Sequence, residues 1–380
     1  MYLLDHIKRE IKDAGGAITF YDFMKIALYH NELGYYVKAP LRIGKGGDFI
    51  TSPHTHSLFG ALIARQLLDF RDFINNTETF SIVEMGSGSG YLAKDILSYL
   101  KKYRKDFYDI VSYIIIEPID SLRNTQKTLL NEFQDKVVWV NNIYDIDNFN
   151  GCVISNELLD AFPVHLIKKV DNSFFELYVV LDDHNNLTFD KGDISSTQLD
   201  NYISLLYDIL PDNYQTEINL DIKNWLIDIN NRMDKGFILT IDYGYIWKDF
   251  FHPNRNRGTL LSYRQHQVTE DVLANPGEQD ITAHVNFSDL HRWGQDLNFM
   301  TCGFTSQWSF LASLDVEEVF KDITGEFNPF SPELAAVKML FLPQGMGDSH
   351  KVIVQSKNVE LHRNVKGFSL RNIQDRLDIK

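Results

Sequence analysis

Glu84-Met85-Gly86-Ser87-Gly88-Ser89-Gly90 closes a short apolar run, Ser81-Ile82-Val83, and opens onto Tyr91 and a helical stretch. A strand that ends in an acid, then glycines at every second position, then a helix, is a βα junction at which a ligand can lie across the strand end. Gly86, Gly88 and Gly90 permit positive φ angles and close backbone approach, and the first turn of the next helix offers unpaired N–H groups. Glu84 can accept an ammonium group or a backbone amide. The competing reading is the dinucleotide fingerprint G-x-G-x-x-G. Here the third glycine comes one residue early, because Gly90 is followed by Tyr91, and a pyrophosphate gains nothing from an acid as near as Glu84. Ser87 sits inside the turn and is counted with the glycines as a ligand contact.

Outward from this junction the chain alternates apolar runs with amphipathic stretches, the signature of βαβ units and a parallel sheet. Strands are expected at Ser81–Met85, Val111–Glu117, Val137–Val140, Cys152–Ser155 and Phe237–Asp242, and helices at Tyr91–Tyr103, Leu122–Phe133 and Ile218–Met233. The fold class is α/β, a doubly wound, Rossmann-like sheet. Ile114-Ile115-Ile116-Glu117 is a strand ending in a carboxylate one βα unit after the glycines. Glu117 can accept both hydroxyls of a ribose, a device that dinucleotide folds share. Asp145, after the third strand, can accept an adenine amino group, with Tyr144 and Ile143 flanking the ring. At the carboxyl end of the fourth strand, Asn156, Glu157 and Asp160 point toward the ligand crevice of such a sheet, although Asn156 and Asp160 also suit helix capping.

The flanks are less regular. Helices are expected at Leu3–Lys12, Phe20–Tyr29 and Ser57–Phe73, a β-hairpin over Phe174–Asp193 turning at Asp182–Asn186, further helices at Asn286–Leu297 and Pro332–Leu342, and a last strand at Lys351–Gln355. The division read from this is an N-terminal helical segment (1–75), a sheet core (76–245), a C-terminal substrate-side region that completes the sheet (246–356) and a polar tail (357–380). That tail, mixed in charge, is expected to be ordered by a partner or by a second subunit in a homodimer.

Composition sets limits. In 380 residues, 44% hydrophobic and 13% aromatic content is enough to build a core without metal or disulfide staples. The two cysteines, Cys152 and Cys302, have no paired spacing, so neither a disulfide framework nor a zinc site is expected. A net charge of -15 argues against a nucleic-acid partner and suits a cationic substrate, or serves solubility alone. Met1–Gly16 lacks the uninterrupted apolar stretch of a secretion signal, and no segment approaches the length of a membrane span. The expected location is therefore cytoplasmic, or the mitochondrial matrix in a eukaryote, though no clear transit peptide is present.

Five blocks together carry a resemblance over nearly the whole chain: Gly46–Pro53 (GGDFITSP), Glu84–Gly90, Asn156–Pro163 (NELLDAFP), Asp242-Tyr243-Gly244 and Pro276–Val285 (PGEQDITAHV). In order and number they resemble the MidA-like family of S-adenosylmethionine-dependent methyltransferases, whose mitochondrial members are arginine methyltransferases that support assembly of respiratory complex I. The resemblance implies a class I methyltransferase sheet, S-adenosylmethionine as cofactor held by the glycine block and Glu117, and a protein substrate whose arginine is handled near Asn156, Glu157 and Asp160. Asp48 and Thr51 of the first block are counted on the substrate side, and Tyr243, Arg264, His266 and His284, which lie in polar, motif-like stretches of the second half, are read as lining the substrate groove, although scattered histidines are more often structural. A metal site from His54, His56 and His284 is not expected, since methyl transfer needs none and no helical H-E-x-x-H spacing occurs. Three positions depart from the family pattern: His54 where an acid is common, Ile119 where serine follows Glu-Pro, and Asn286 where aspartate is usual. Two other classes of function stay open, a non-catalytic assembly protein on the same fold and an NAD-dependent dehydrogenase.

Overall fold

The computed structural model describes residues 2–38, 52–74, 79–264, 267–325, 332–342 (backbone only at 332–336) and 345–379. The chain divides into two compact units, each assembled from three segments: Arg42–Leu158, Trp225–Gly244 and Phe287–Lys380 in one, Met1–Leu41, Leu159–Asn224 and Tyr245–Asn286 in the other. The linear division at 75, 245 and 356 follows composition, whereas this one follows packing.

The first unit is built on seven strands: β1 (Phe80–Met85), β2 (Val111–Ile116), β3 (Val137–Val140), β4 (Phe149–Asn156), β5 (Met233–Tyr245), β6 (Met300–Ser306) and β7 (His350–Lys357). They lie in the order β6-β7-β5-β4-β1-β2-β3. Pairs β1/β2, β2/β3, β1/β4 and β4/β5 are parallel, and β7 is antiparallel to both β5 and β6. The order reverses at β1 and β4, which puts a crevice beyond the carboxyl ends of those two strands. The strands are continuous apolar runs because both faces are covered. Helices α1 (Leu58–Ile74), α2 (Tyr91–Tyr103) and α3 (Asp120–Leu129) supply one cover. Leu62, Leu67 and Phe70 of α1 share one buried core with Ile96, Leu97 and Leu100 of α2, Ile82 of β1 and Leu239 of β5. Phe70 stacks on Phe237 with centroids 4.1 Å apart. Burying each such side chain contributes roughly 1.5–3 kcal/mol.

The expectation that the tail is ordered by a partner is corrected. Val359, Val365 and Phe368 belong to the same core. The Phe368 ring fills the space beside Gly303, where an added Cβ would fall 2.3 Å from it. Asp69 of α1 accepts the Lys366 amide at 2.8 Å and is bonded to Arg363. The apolar residues are spaced too irregularly along the tail to register as an element.

The second unit carries the helices Leu3–Asp13 and Phe20–Tyr29 and a sheet ordered Ala17–Thr19, Ser173–Leu181, His165–Val170, Gln215–Ile218, with Leu187–Gly192 paired to Ser173–Leu181 as the expected hairpin. Its turn is held by Asp182 Oδ1, which accepts the amides of His184 and Asn186. Between Arg257 and Asn286, where no element is expected, Leu261–Arg264 pairs with Gln267–Thr269 and Asp280–Thr282 in a small sheet.

Candidate active site

Beyond the carboxyl end of β1, Gly86, Gly88 and Gly90 adopt φ of 74°, 53° and 90°. That is the left-handed region where a side chain costs about 1–2 kcal/mol. Gly90 N–H closes the turn on Ser87 O at 2.8 Å, and α2 starts at the next residue. A Cβ on Gly86 would lie 2.8 Å from Leu158 Cδ1, so the glycine is what lets the segment after β4 close over the turn. Glu84 is buried at 3% exposure and accepts from Ser87 Oγ at 3.0 Å and Tyr113 Oη at 2.8 Å. Burial outweighs these two bonds and pushes its carboxyl up to about 7.

At the end of β2, Glu117 is buried, which raises its carboxyl pKa, while its two oxygens accept from Ile119 N (3.0 Å) and Gln126 Nε2 (3.1 Å). Sequence reasoning missed Gln126. Its Nε2 also donates to Gly88 O at 2.8 Å, and its Oε1 accepts from Trp139 Nε1 at 3.0 Å, so one α3 side chain ties the glycine turn to the second acid and to β3. Ile119 stands at the N-cap of α3 without a side-chain cap, the bond a serine there would supply. Asp145 Oδ2 accepts the amides of Asn141 and Asn142, closing the turn after β3. Ile143 is buried, while Tyr144 donates to Asp228 at 2.6 Å and has the Arg232 guanidinium 5.1 Å from its ring centroid.

After β4 the chain turns sharply. Glu157 has φ 49°, a left-handed conformation for a residue with a side chain, and its amide is fixed to Ile241 O at 2.9 Å. Its Oε1 accepts from Ser52 N (3.4 Å) and Asn156 Nδ2 (3.3 Å) and lies 3.7 Å from His350 Nε2. His350, at the start of β7, is buried; its Nδ1 is 3.0 Å from Ser349 Oγ, its Nε2 has no hydrogen-bond partner among the described residues, and its ring meets that of Tyr243 edge-on at 5.6 Å. His54 senses the Glu157 carboxylate, but burial dominates and lowers its pKa. Asn156 Oδ1 is buried without a partner among the described residues. Nothing near His350 in sequence marks it; the antiparallel register Tyr243↔His350 brings it here.

The remaining expected residues are distributed otherwise. Asp160 belongs to the second unit, where its carbonyl accepts Ala283 N at 2.9 Å and its charge helps raise the pKa values of Tyr29 and Tyr36, which burial dominates. In the same unit Arg264 pairs with Glu278 at 2.7 Å, and His284 stacks on Tyr245 at 5.1 Å. Asn286 is buried there. Asp48, Thr51 and His266 lie outside the described residues. No group of three His, Cys, Asp or Glu able to hold a metal ion occurs among the described residues, and no described helix is long and apolar enough to cross a membrane.

A sulfonium nucleoside fits this arrangement. The glycine turn has no side chain where a ligand must approach, and Glu84 is a desolvated acid with no cation beside it in the described contacts. Residues 62–305 match the family of S-adenosyl-L-methionine-dependent methyltransferases. The Drosophila melanogaster protein named protein arginine methyltransferase NDUFAF7 homolog, mitochondrial, is 26% identical over 369 residues, 90% of this chain and 82% of that protein. Its Caenorhabditis elegans counterpart is 29% identical over 347 residues, covering 82% and 77%. A Burkholderia thailandensis protein solved with S-adenosyl-homocysteine bound superposes with a TM-score of 0.88 at 28% identity, covering 98% of this chain and 96% of that one. These findings favour neither the dehydrogenase nor the non-catalytic alternative. The names of the two relatives place those proteins in mitochondria and lend no support to a cytoplasmic location.

Proposed function

This chain belongs to the family of S-adenosyl-L-methionine-dependent methyltransferases, and on that premise we propose that it N-methylates arginine in a protein substrate, a subunit of the respiratory complex I type, using Glu157 to hold the guanidinium. The relatives named as arginine methyltransferases support the choice of acceptor. What supports the reading is the position of Glu157 in the chain: it directly follows β4, the parallel neighbour of β1, and the next residue, Leu158, lies against Gly86. In a eukaryotic cell the proposed location is the mitochondrial matrix, and the names of these relatives support mitochondria.

When bound, the cofactor supplies an electrophilic methyl group. The backbone at Gly86, Gly88 and Gly90 and the Ser87 hydroxyl would cradle it, Glu84 would take its ammonium, Glu117 its ribose hydroxyls and Asp145 its adenine amino group. The chain's own task is then the nucleophile. Making a guanidinium neutral at pH 7 costs about 8 kcal/mol, so deprotonation ahead of transfer is a poor route. A carboxylate that accepts two of its N–H groups instead fixes the plane and aims one nitrogen, which supplies orientation rather than basicity. Glu157 is pre-set for this by its fixed backbone and by Ser52 and Asn156, with Asp160 as a second acid in the reading. Only as the methyl group would leave the cofactor's sulfur for the nitrogen does that nitrogen become acidic enough to lose a proton, which Glu157 can then accept without having acted as a base beforehand. His350 Nε2, 3.7 Å from Glu157 Oε1 and without a hydrogen-bond partner among the described residues, would take that proton on in the tautomer whose Nδ1 donates to Ser349 Oγ. Tyr243 packs against this imidazole; Arg264, His266 and His284, with Asp48 and Thr51, are proposed to contact the substrate.

The test is transfer of labelled methyl groups to a purified arginine-bearing subunit, with the product site mapped by mass spectrometry. Glu157→Gln should lower turnover by about a hundredfold or more while S-adenosylhomocysteine affinity is unchanged. Turnover near wild type, or a protein that only retains the subunit without labelling it, removes the reading.

A further inference from the structure

A second feature lies beside the glycine turn. A hollow of about 540 Å³ is lined by Ser89 of the turn, Tyr91, Lys94 and Asp95 of α2, Thr125 of α3, and His54. It is too large for one side chain. Asp95 is pressed against α1, where a Cβ on Gly60 would fall 2.5 Å from its own Cβ. No hydrogen bond or ion pair to the half-buried Asp95 carboxylate occurs among the described residues, and desolvation pushes it up to about 7 against the opposing effect of Lys94. A half-buried acid without a hydrogen-bond donor is stabilised by a cation that reaches it. Beside it stand two rings, Tyr91 and His54, edge to face at 4.8 Å, and Tyr91 is 39% exposed. An acid with an adjacent aromatic face is the arrangement that holds a guanidinium or ammonium group. The hollow also communicates with the chemistry, because His54 is the residue that senses Glu157.

We propose that this hollow is a specificity subsite for a second basic side chain of the protein substrate, Asp95 taking its charge and Tyr91 its flat or methylene surface, while the arginine to be methylated sits at Glu157. Lys94, also on the wall, is available to a substrate carbonyl and disfavours an occupant without a backbone acceptor. The inference rests on the arginine reading for the first site but not for the second.

The two are separated by calorimetry on the full chain saturated with S-adenosylhomocysteine. The probes are acetylated, amidated peptides with two arginines separated by one, two or three glycines, each with counterparts carrying norleucine in place of either arginine. At the best spacing the two-arginine peptide should bind wild type about tenfold or more tightly than either counterpart. Asp95→Asn, which is isosteric, and Tyr91→Leu should each remove that advantage, with S-adenosylhomocysteine affinity kept as the sign of an intact fold. An advantage that persists in both variants, or one that wild type never shows, overturns the subsite. If instead the advantage depends on Asp95 but no peptide accepts a labelled methyl group and Glu157→Gln changes nothing, the subsite stands and the arginine reading of Glu157 fails.

Discussion

Gly86→Ala tests the cofactor turn most directly, because its cost can be worked from the structure and must show up somewhere. Alanine at φ 74° costs about 1–2 kcal/mol, and its methyl group arrives 2.8 Å from Leu158 Cδ1. Overpacking of that kind typically adds about 1–3 kcal/mol, less where the obstructing group is the end of a mobile side chain, as here. The sum, about 2–5 kcal/mol, divides between two measurements. If the turn stays put, the cost appears as lost stability in a denaturant melt. If the turn relaxes, the ligand must restore it, and S-adenosylhomocysteine affinity falls by a factor between roughly thirty and several thousand. Calorimetry and the melt together should therefore recover at least about 2 kcal/mol. Adding Leu158→Ala separates the parts: the packing component is relieved, and the φ component is not. A Gly86→Ala protein that binds within about twofold of wild type and melts at the same denaturant concentration refutes the account of the turn.

Gln126→Leu keeps the volume but strips donors from Gly88 O and Glu117 and an acceptor from Trp139; a stability loss of about 1–3 kcal/mol with weakened S-adenosylhomocysteine binding is expected, and unchanged affinity would show that the clamp does not matter to the ligand. Glu84, protonated with a pKa of about 7 in the fold against 4.5 outside it, favours the folded state fully below pH 4.5, and that contribution of about 3 kcal/mol is lost as the pH rises through 7. Urea melts of Glu84→Gln should accordingly flatten the decline in stability between pH 5 and 8 (about that window), leaving the slope due to Asp95, which shifts the same way; an unaltered slope would place the raised carboxyl elsewhere. Phe368→Ala opens a void beside Gly303 and Phe310 and should cost about 3–5 kcal/mol in the same melts, whereas a tail ordered only by a partner would give almost nothing in the isolated protein.

Where pattern is local, the sequence was legible. Phe20–Tyr29 and Tyr91–Tyr103 are helices over the very residues their 3.6 period marks, and β1 and β3 follow their apolar runs to within a residue. Leu122–Phe133 splits into α3 and a short 3-10 turn at Asn131–Phe133, because Leu130 packs inward and the helix ends before it. β4 and β5 run longer than expected: polar or small residues such as Asn150 and Gly236 are carried into the ladder by pairing with neighbours rather than by propensity. The acids Glu84, Glu117 and Glu157 were visible because each ends a strand. Gln126 and His350 were not, since what makes them matter is a contact across 38 residues in one case and 193 in the other, through Gly88 and Glu157. Arg264 read as a groove residue, yet a partner fourteen positions on, Glu278, holds it, and charge patterning alone does not say which acid a cation will meet.

The position of β7 bears on how the protein is made. That strand is drawn from residues 350–357, yet it is wedged between β5 and β6, pairing with both. A ribosome adding about 5–20 residues per second needs several seconds to pass from the end of β5 to the start of β7, and throughout that interval the β5 edge has no partner on that side. The nascent chain therefore presents an open strand edge to the cell until residues 350–357 emerge, a place where another chain can pair.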